Sequence, residues 1–595
     1  MQHRLPAAIV FVILLCLAFV PTSAIAQATY TWRVVSGNVA TAASWSPNRT
    51  TPLSNDILVV NGASAATSVP VTMNTTTTLV GKLQLINAAV VNLNATATGA
   101  KTLTLGGGAN ALLVTSGSAL KLTGSPGLTV ALLAGSTGQI DGDVVITSTG
   151  AGTQHRLQSN TVDGIQFTSG STCAMAPGNN NGGGGFDTAG IANGVRFLAG
   201  STHNIGGLKD GTRSAFSGST PFGMTAPASV VTFDPDSTVV VWDFDSSLNS
   251  LLSARTFGHL HWRGSANQSG GGTQTCLVQG DLFVRPSLAA TTGTLGYTGT
   301  AAGTALAVRG RFAVLANSGG FNDNGAPTSS SAVEFGGSIS TVGNLFDYTN
   351  NRNRVYVFNG TAAQSIDLPS RNISNVTFAN RAAGVTVTNN MTVSSTLTLS
   401  TGTLVRMQSN TLTLGISTSS TGNLVVEAGT PAPRINGTFR RWVDTTSVSP
   451  YQFPIGRAAN TRAATVTFTA PPAVGGTLTA DEATTDPGTL GFPLDDAGQA
   501  LDQATSESIW TIAAANGLSG GQYNLDLDVS AFSDHGTTSA LRIVKRDLAG
   551  PWTLNGTAGI NAPAIIRRSA MTNFSDFAIA IPPTVASRIR DWIEY

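Results

Sequence analysis

At 595 residues the chain is too long for one ordinary globular core, so it is either multi-domain or a solenoid whose core lengthens with the chain. Charged residues make up only 11%, well below the roughly 25% usual in globular proteins, while 41% are hydrophobic and fall in short Val, Leu and Ile runs, which excludes wholesale disorder. A net charge of +1, with lysine only at positions 82, 101, 121, 209 and 545, gives no global field to recruit nucleic acid or an acidic membrane.

The first 26 residues read as a secretory signal peptide. His3 and Arg4 form a short polar start, residues 9–20 an apolar stretch, and Ala24-Ile25-Ala26 a small-x-small cleavage site before Gln27. The apolar stretch is shorter than the ~18–20 residues needed to span a bilayer, and no later segment reads as a membrane-spanning helix. The expectation is therefore a secreted, extracellular or cell-surface protein with no transmembrane segment after signal removal.

From Tyr30 onward, short strands alternate with turn-forming Gly, Asn, Ser and Thr. Leu-x-Leu units begin at 83, 103 and 120 and return at 397 and 412. Read as successive rungs, they predict an all-β chain: a right-handed parallel β-helix over 27–430 with its N-terminal cap, each strand stacked on the one before. The stretch from about 150 to 350 reads as the same helix with longer loops, including the Asn and Gly run at 179–185 and a turn at 322–325. A strand is expected over 237–244.

After residue 430 the pattern lengthens. Residues 431–480 read as a β-rich connector. Strands near 508–512, 523–527, 541–545 and 577–581 predict a C-terminal β-sandwich over 481–582, and 583–595 form a tail. Cys173 and Cys276 are the cysteines of the mature chain. At about 20 residues per coil and ~4.8 Å per coil they stand about 24 Å apart, beyond the ~7 Å that a disulfide spans between Cα atoms. Two buried free thiols are expected.

Candidate chemistry is sparse. Asp243 and Asp245 alternate on the expected strand, which puts both carboxylates on one face about 7 Å apart. That lies within the ~6.5–9.5 Å of inverting glycosidases, and Asp234 and Asp236 sit on the approach. A solvated acidic row is the plainer reading. His259 and His261 alternate beside Trp262, which makes half a metal site without a visible third ligand. The turn Asn322-Asp323-Asn324-Gly325 resembles the start of a Ca²⁺ loop, making Asp323 the Ca²⁺ candidate, but Glu334 comes earlier than such a loop would close. The glycine runs lack the Lys-Ser/Thr of phosphate loops. No catalytic residue is assigned, and no cofactor is expected beyond that Ca²⁺ reading.

Several segments resemble the secreted, repetitive β-helix surface and adhesin-like proteins of environmental, Bacteroidetes-like bacteria. Trp32, Trp45, Pro47, Arg49, Pro52 and Asp56 are similar to their N-terminal motif. The succession Phe358-Asn359-Gly360, Gln364-Ser365-Ile366, Asn375-Val376-Thr377-Phe378 and Gly384-Val385-Thr386-Val387 is similar to their coil unit. Phe453-Pro454-Ile455-Gly456 and the closing Phe574-Ser575-Asp576-Phe577-Ala578-Ile579 look like the module that follows. A long, low-charge β ladder with no convergent polar constellation points to a non-enzymatic structural or adhesive role, with polysaccharide or other surface components as partners, and the resemblance agrees with it. The alternatives are a polysaccharide lyase or glycoside hydrolase with an acidic groove near Asp234 to Asp245, and a carbohydrate-binding module in the C-terminal sandwich.

Overall fold

The computed structural model describes residues 27–63, 69–147, 154–175, 185–187, 189–208, 216, 220–244, 247–287, 292–323, 331–342, 346–347, 353–368, 372–446, 448–457, 460–533 and 537–583. The signal-peptide segment, most of the Asn and Gly run at 179–185, Asn324, Gly325, Asp245 and all but the first residue of the 583–595 tail lie outside these residues.

The chain is almost entirely β and its long N-terminal part is a parallel β-helix. Three sides are clear in the first coils. One sheet stacks Thr29–Trp32, Ile57–Asn61, Lys82–Ile86, Leu112–Val114, Gly138–Ile140, Ile165–Phe167, Val195–Phe197 and Val231–Phe233 in parallel. A second stacks Val69–Met73, Val90–Ala95, Ala119–Gly124, Asp143–Ile146, Thr172–Met175, Thr202–Ile205 and Thr238–Val241, and continues through later coils to Leu404–Leu414 and Arg434–Val443. The third holds Thr77–Val80, Lys101–Leu105, Leu128–Leu132 and Arg156–Ser159.

This arrangement corrects the reading of the Leu-x-Leu units. Leu83 pairs with Leu112, Leu103 with Val130, and Leu120 with Val144. The units at 83, 103 and 120 therefore lie on three different sides. They are not rungs of one ladder. Each strand alternates inward and outward side chains, so every side of a coil produces its own Leu-x-Leu. A full coil runs from Leu58 to Leu83, or from Val195 to Val231, and is longer than the spacing between units suggests.

Inside, equivalent positions in successive coils stack like on like. Phe167 lies on Phe197 at 4.5 Å, nearly parallel, and Phe197 on Phe233 at 5.3 Å. Further along, Phe335, Phe358 and Phe378 repeat the stack at 5.8 and 5.4 Å. Offset ring stacking adds to the area each Phe buries. His203 sits in the first of these ladders among Phe186, Phe197, Phe222 and Phe233. It is fully buried; Cys173 on the adjacent strand is a polar backbone neighbour, yet neither ring nitrogen reaches hydrogen-bond geometry among the described residues.

Both cysteines are free and buried, and burial pushes both thiols up, that of Cys276 to about 12. The coil length assumed in placing them was too short and the separation of about 24 Å too large, but they remain beyond disulfide reach: His203, Val239 and Leu260 follow Cys173 up its ladder before the chain reaches Cys276, about 14 Å at ~4.8 Å per coil.

One corner of the helix is a column of glycines. Gly280 N–H donates to Gly258 at 2.8 Å and Gly310 N–H to Gly280 at 2.9 Å. A Cβ on Gly337 would fall on the Gly310 carbonyl, so the coils approach too closely there for any side chain. Gly337→Ala is expected to cost about 1–3 kcal/mol through forced backbone displacement. Faster amide exchange in Phe312–Val314 and Ile339–Thr341 would report it.

The N-terminal motif residues pack as a cap. Trp45–Ser46 pairs antiparallel with Thr29–Trp32, placing Trp32 edge-on to Trp45 at 5.0 Å. Arg49 donates to Asp56 at 2.6 Å, and both side chains are buried. The Asp56 carboxylate also accepts the Leu53 N–H, and its carbonyl accepts Gly81 N–H at the next coil.

At the other end, Arg434–Val443 pairs in parallel with Leu404–Leu414 on one edge and antiparallel with Gly476–Ala483 on the other. From there two antiparallel sheets follow. One continues from Gly476–Ala483 through Ile509–Ala515 to Asp576–Ile581 and Arg542–Arg546. The other orders Tyr451–Phe453, Ala464–Ala470, Gln522–Asp528, Ile565–Met571 and Thr557–Ala558. The segment read as a connector thus supplies Ala464–Ala470 to a sheet with Gln522–Asp528. Among the described residues no helix is long and apolar enough to cross a membrane.

Candidate functional site

The two histidine candidates lie on the second sheet, where Thr238–Val241, His259–Trp262, Leu282–Val284 and Phe312–Val314 are side by side. Leu260, Trp262, Leu282 and Val284 point inward and are buried. The intervening residues His261 and Phe283 therefore face out, in register with Val240 and Ala313.

The acidic candidates do not converge. The strand expected over 237–244 ends at Val241, so Asp243 lies beyond it and the same-face argument for Asp243 and Asp245 fails. Asp245 is outside the described residues. Trp242 ends the strand by turning its indole to donate to the Asn204 side chain at 2.9 Å. Asp243 accepts from the Ser265 N–H at 3.1 Å and from the Ser265 hydroxyl. Asp234 accepts from Arg196 Nε at 2.8 Å, while the same guanidinium reaches Asp163 at 3.1 Å. The two carboxylates hold the Arg196 pKa above its ordinary value and clamp successive coils. Asp236 is exposed, 3.9 Å from His259 Nε2.

His259 and His261 are neighbours, their ring centres 6.5 Å apart. His259 Nδ1 accepts the Asp281 N–H at 2.9 Å, which leaves its proton on Nε2 in the neutral ring. His261 stacks on Phe283 at 5.2 Å. Burial, then the charges of Arg285, His259 and Arg263, push its pKa down to about 3, so it is neutral at ordinary pH. Cationic neighbours make a poor setting for a metal ion, and among the described residues no group of three or more His, Cys, Asp or Glu is placed to hold one. Asp323 is not near this face. It points into the helix, fully buried, where Arg354 binds it bidentately at 2.9 and 3.1 Å and the Tyr356 hydroxyl donates at 2.7 Å.

What gathers on the outer face is arginine and aromatic rings. Arg285 and Arg311 lie over Phe283 at 4.9 and 5.1 Å, and Arg263 over Trp242 at 5.0 Å. Arg311 is paired with Asp281 at 3.0 Å. No hydrogen bond or ion pair to the Arg285 guanidinium is found among the described residues, and its Nε is buried without a partner, although the Asp281 carboxylate is near enough to act on it electrostatically. Because Trp262 pairs with Val284, Arg263 and Arg285 follow side by side on adjacent strands. Like charges so placed repel, an arrangement that an anion set between them relieves. Arg255 plays another part: buried, it donates to Ala228 O at 2.7 Å and Met224 O at 3.0 Å. Burial lowers its pKa to about 10.

Sequence reasoning found His259, His261 and the Asp residues but missed Phe283, Arg285 and Arg311. The signal was the alternation Phe283-Val284-Arg285, which only coil register sets beside His261. The candidates are also absent from the walls of a cleft of about 580 Å³ lined in part by Leu518, Tyr523, Leu548, Phe574 and Asp576. Comparison with protein-family models, curated proteins and solved structures finds no match to the chain.

Proposed function

We propose that this chain is a non-enzymatic structural or adhesive rod of the cell surface or extracellular space, which contacts acidic glycans through its arginine–aromatic face. The observation that carries the reading is Arg285, whose guanidinium has no hydrogen bond or ion pair among the described residues and lies on Phe283 beside Arg263. Guanidinium groups recognise carboxylates through paired N–H donors, and an aromatic face takes the C–H surface of a sugar. A rod of stacked coils suits such contacts, since weak sites gain strength when many rods engage one polymer. The export expected from residues 1–26, and the resemblance to repetitive surface proteins, support the same reading. The hydrolase or lyase alternative is not favoured, because Asp234 and Asp243 are both engaged by structural partners.

The test uses the chain from Gln27 onward with acidic and neutral polysaccharides, following both retention and release of reducing or unsaturated ends. Expected are retention of acidic polymers that weakens with salt, a loss of about tenfold or more in Arg285→Ala, and no release. Release that vanishes in Asp243→Ala would overturn the proposal.

A further inference from the structure

A second site lies where the helix meets the antiparallel sheets. Arg457, Asn460, Arg462, Glu482, Thr484 and Glu507 line a cleft of about 140 Å³. Glu482 comes from Gly476–Ala483, Glu507 from the segment before Ile509–Ala515, and Arg457, Asn460 and Arg462 from the segment after Ile455.

Both central side chains are almost wholly buried: Glu482 is 2% exposed and Arg462 3%. Each spends one half of its polar end on the protein. Glu482 Oε1 takes the Ser508 hydroxyl. Glu482 Oε2 has no hydrogen bond, its nearest cation being Arg457 Nε at 3.4 Å. Arg462 Nη2 donates to Glu507 at 3.1 Å, and its Nη1 has no partner. Further contacts hold the frame around them. Arg462 lies 4.3 Å over Phe532, its carbonyl accepts the Trp510 indole N–H at 2.8 Å, and Glu507 accepts both the N–H and the hydroxyl of Ser533.

A buried acceptor and a buried donor left open in one cleft are costly, and such groups ordinarily meet a partner. Two carboxylates and two guanidiniums balance, so the cleft does not select an ion. Every residue that lines it carries a charged or polar side chain, which does not suit a purely apolar group. The missing partner must donate to Glu482 Oε2 and accept from Arg462 Nη1 at once, and two adjacent hydroxyls of a pyranose do both. Asn460 stands at the wall, the Thr484 hydroxyl turns to Glu482 Oε1 at 3.5 Å and leaves its oxygen as an acceptor, and half-exposed Arg457 marks the mouth. We infer that this cleft binds the terminal residue of a neutral glycan through a vicinal hydroxyl pair held between Glu482 and Arg462. The inference shares the glycan-contacting reading above but stands on different residues and a different class of sugar.

The probe is a panel of neutral methyl hexopyranosides, titrated into the chain from Gln27 onward by ligand-observed NMR. Expected is binding by at least one member. Removal of either hydroxyl as the deoxy sugar should weaken it about tenfold or more, as should Glu482→Gln. Asn460→Trp, a change at an exposed rim position that spares the fold, should block it. Arg285→Ala should leave it unchanged, so that failure of the acidic-glycan face and failure of this cleft read out separately. Absence of binding across the panel, as when the cleft holds only water, or binding that persists in Asn460→Trp, overturns the inference.

Discussion

Arg354→Met is expected to unfold the middle coils of the helix, at a cost of about 3–5 kcal/mol. Arg354 and Asp323 are both fully buried, and the guanidinium also donates to Gly299 O at 2.8 Å and to the Ser331 hydroxyl at 2.6 Å. Its plane lies 5.6 Å from the centre of the Tyr297 ring, whose own hydroxyl donates to Ala305 O. Removing the cation strips the buried Asp323 carboxylate of its bidentate ion pair, while the Tyr356 hydroxyl still donates to it. Removing both charges is a different experiment. In Asp323→Leu with Arg354→Met no charge is stranded, so the double variant should recover most of the loss. Because a solenoid opens coil by coil, one midpoint will not describe it. Amide exchange in Leu295–Tyr297, Phe321–Asp323 and Val355–Phe358 is the suitable measurement. A single variant no more destabilised than the double would show that the pair does not hold these coils.

The second large effect is acid lability centred on His203. Burial depresses its folded pKa to about 3, against 6.5 for the free imidazole. Above pH 6.5 the ring is neutral folded or unfolded, and pH has no leverage through it. Between about 6.5 and 3 the unfolded chain binds a proton that the folded chain refuses. Stability therefore falls with falling pH, by up to about 1.4 kcal/mol per unit. Below about 3 the loss levels off. His261, depressed to a similar value but half-buried, adds a smaller slope of the same sign. His203→Phe should flatten most of this dependence, and at neutral pH should leave the coils as stable or more so. The new ring would join Phe186, Phe197, Phe222 and Phe233 and remove two unpaired nitrogens from the core. Denaturant unfolding at pH 7 and pH 4.5, followed through the strand Thr202–Ile205, tests it. An equal pH response in wild type and variant would rule out His203 as the source.

How much of this was legible in the residues depends on the distance over which each feature is encoded. Strand alternation is local, so the all-β character and the strands near 508–512, 523–527, 541–545 and 577–581 were readable, and each has a counterpart in Ile509–Ala515, Gln522–Asp528, Arg542–Arg546 and Asp576–Ile581. Coil register is not local. Nothing within Leu83-Gln84-Leu85 says that its partner is Leu112 and not Leu103, because corners of variable length separate identical patterns. The surroundings of the candidate residues were hidden for the same reason. Asp243 and Asp245 suggested a site because they are close in sequence, whereas Arg285 meets His261 and Arg263 only across strands. The Glu482 and Arg462 cleft lay further still from view, being assembled from a strand, a turn and a loop that antiparallel pairing brings together. Ile565–Met571 was missed because Arg567 and Arg568 interrupt its apolar run. The structure gives both a use: Arg567 pairs with Asp526 at 2.5 Å and Arg568 with Asp496 at 3.0 Å.

The strand Arg434–Val443 joins two kinds of pairing, and that has a bearing on assembly. A stack of parallel strands is an open template: its last edge offers the same hydrogen-bonding row that accepted every strand before it. Here that row is taken by Gly476–Ala483 running the opposite way, and Trp45–Ser46 does the same for one sheet of the first coil. Polymerisation by adding one molecule's coils to another's is blocked at these edges. It is not closed off in this way at the ends of the third sheet, Thr77–Val80 and Arg156–Ser159, where no antiparallel strand pairs among the described residues.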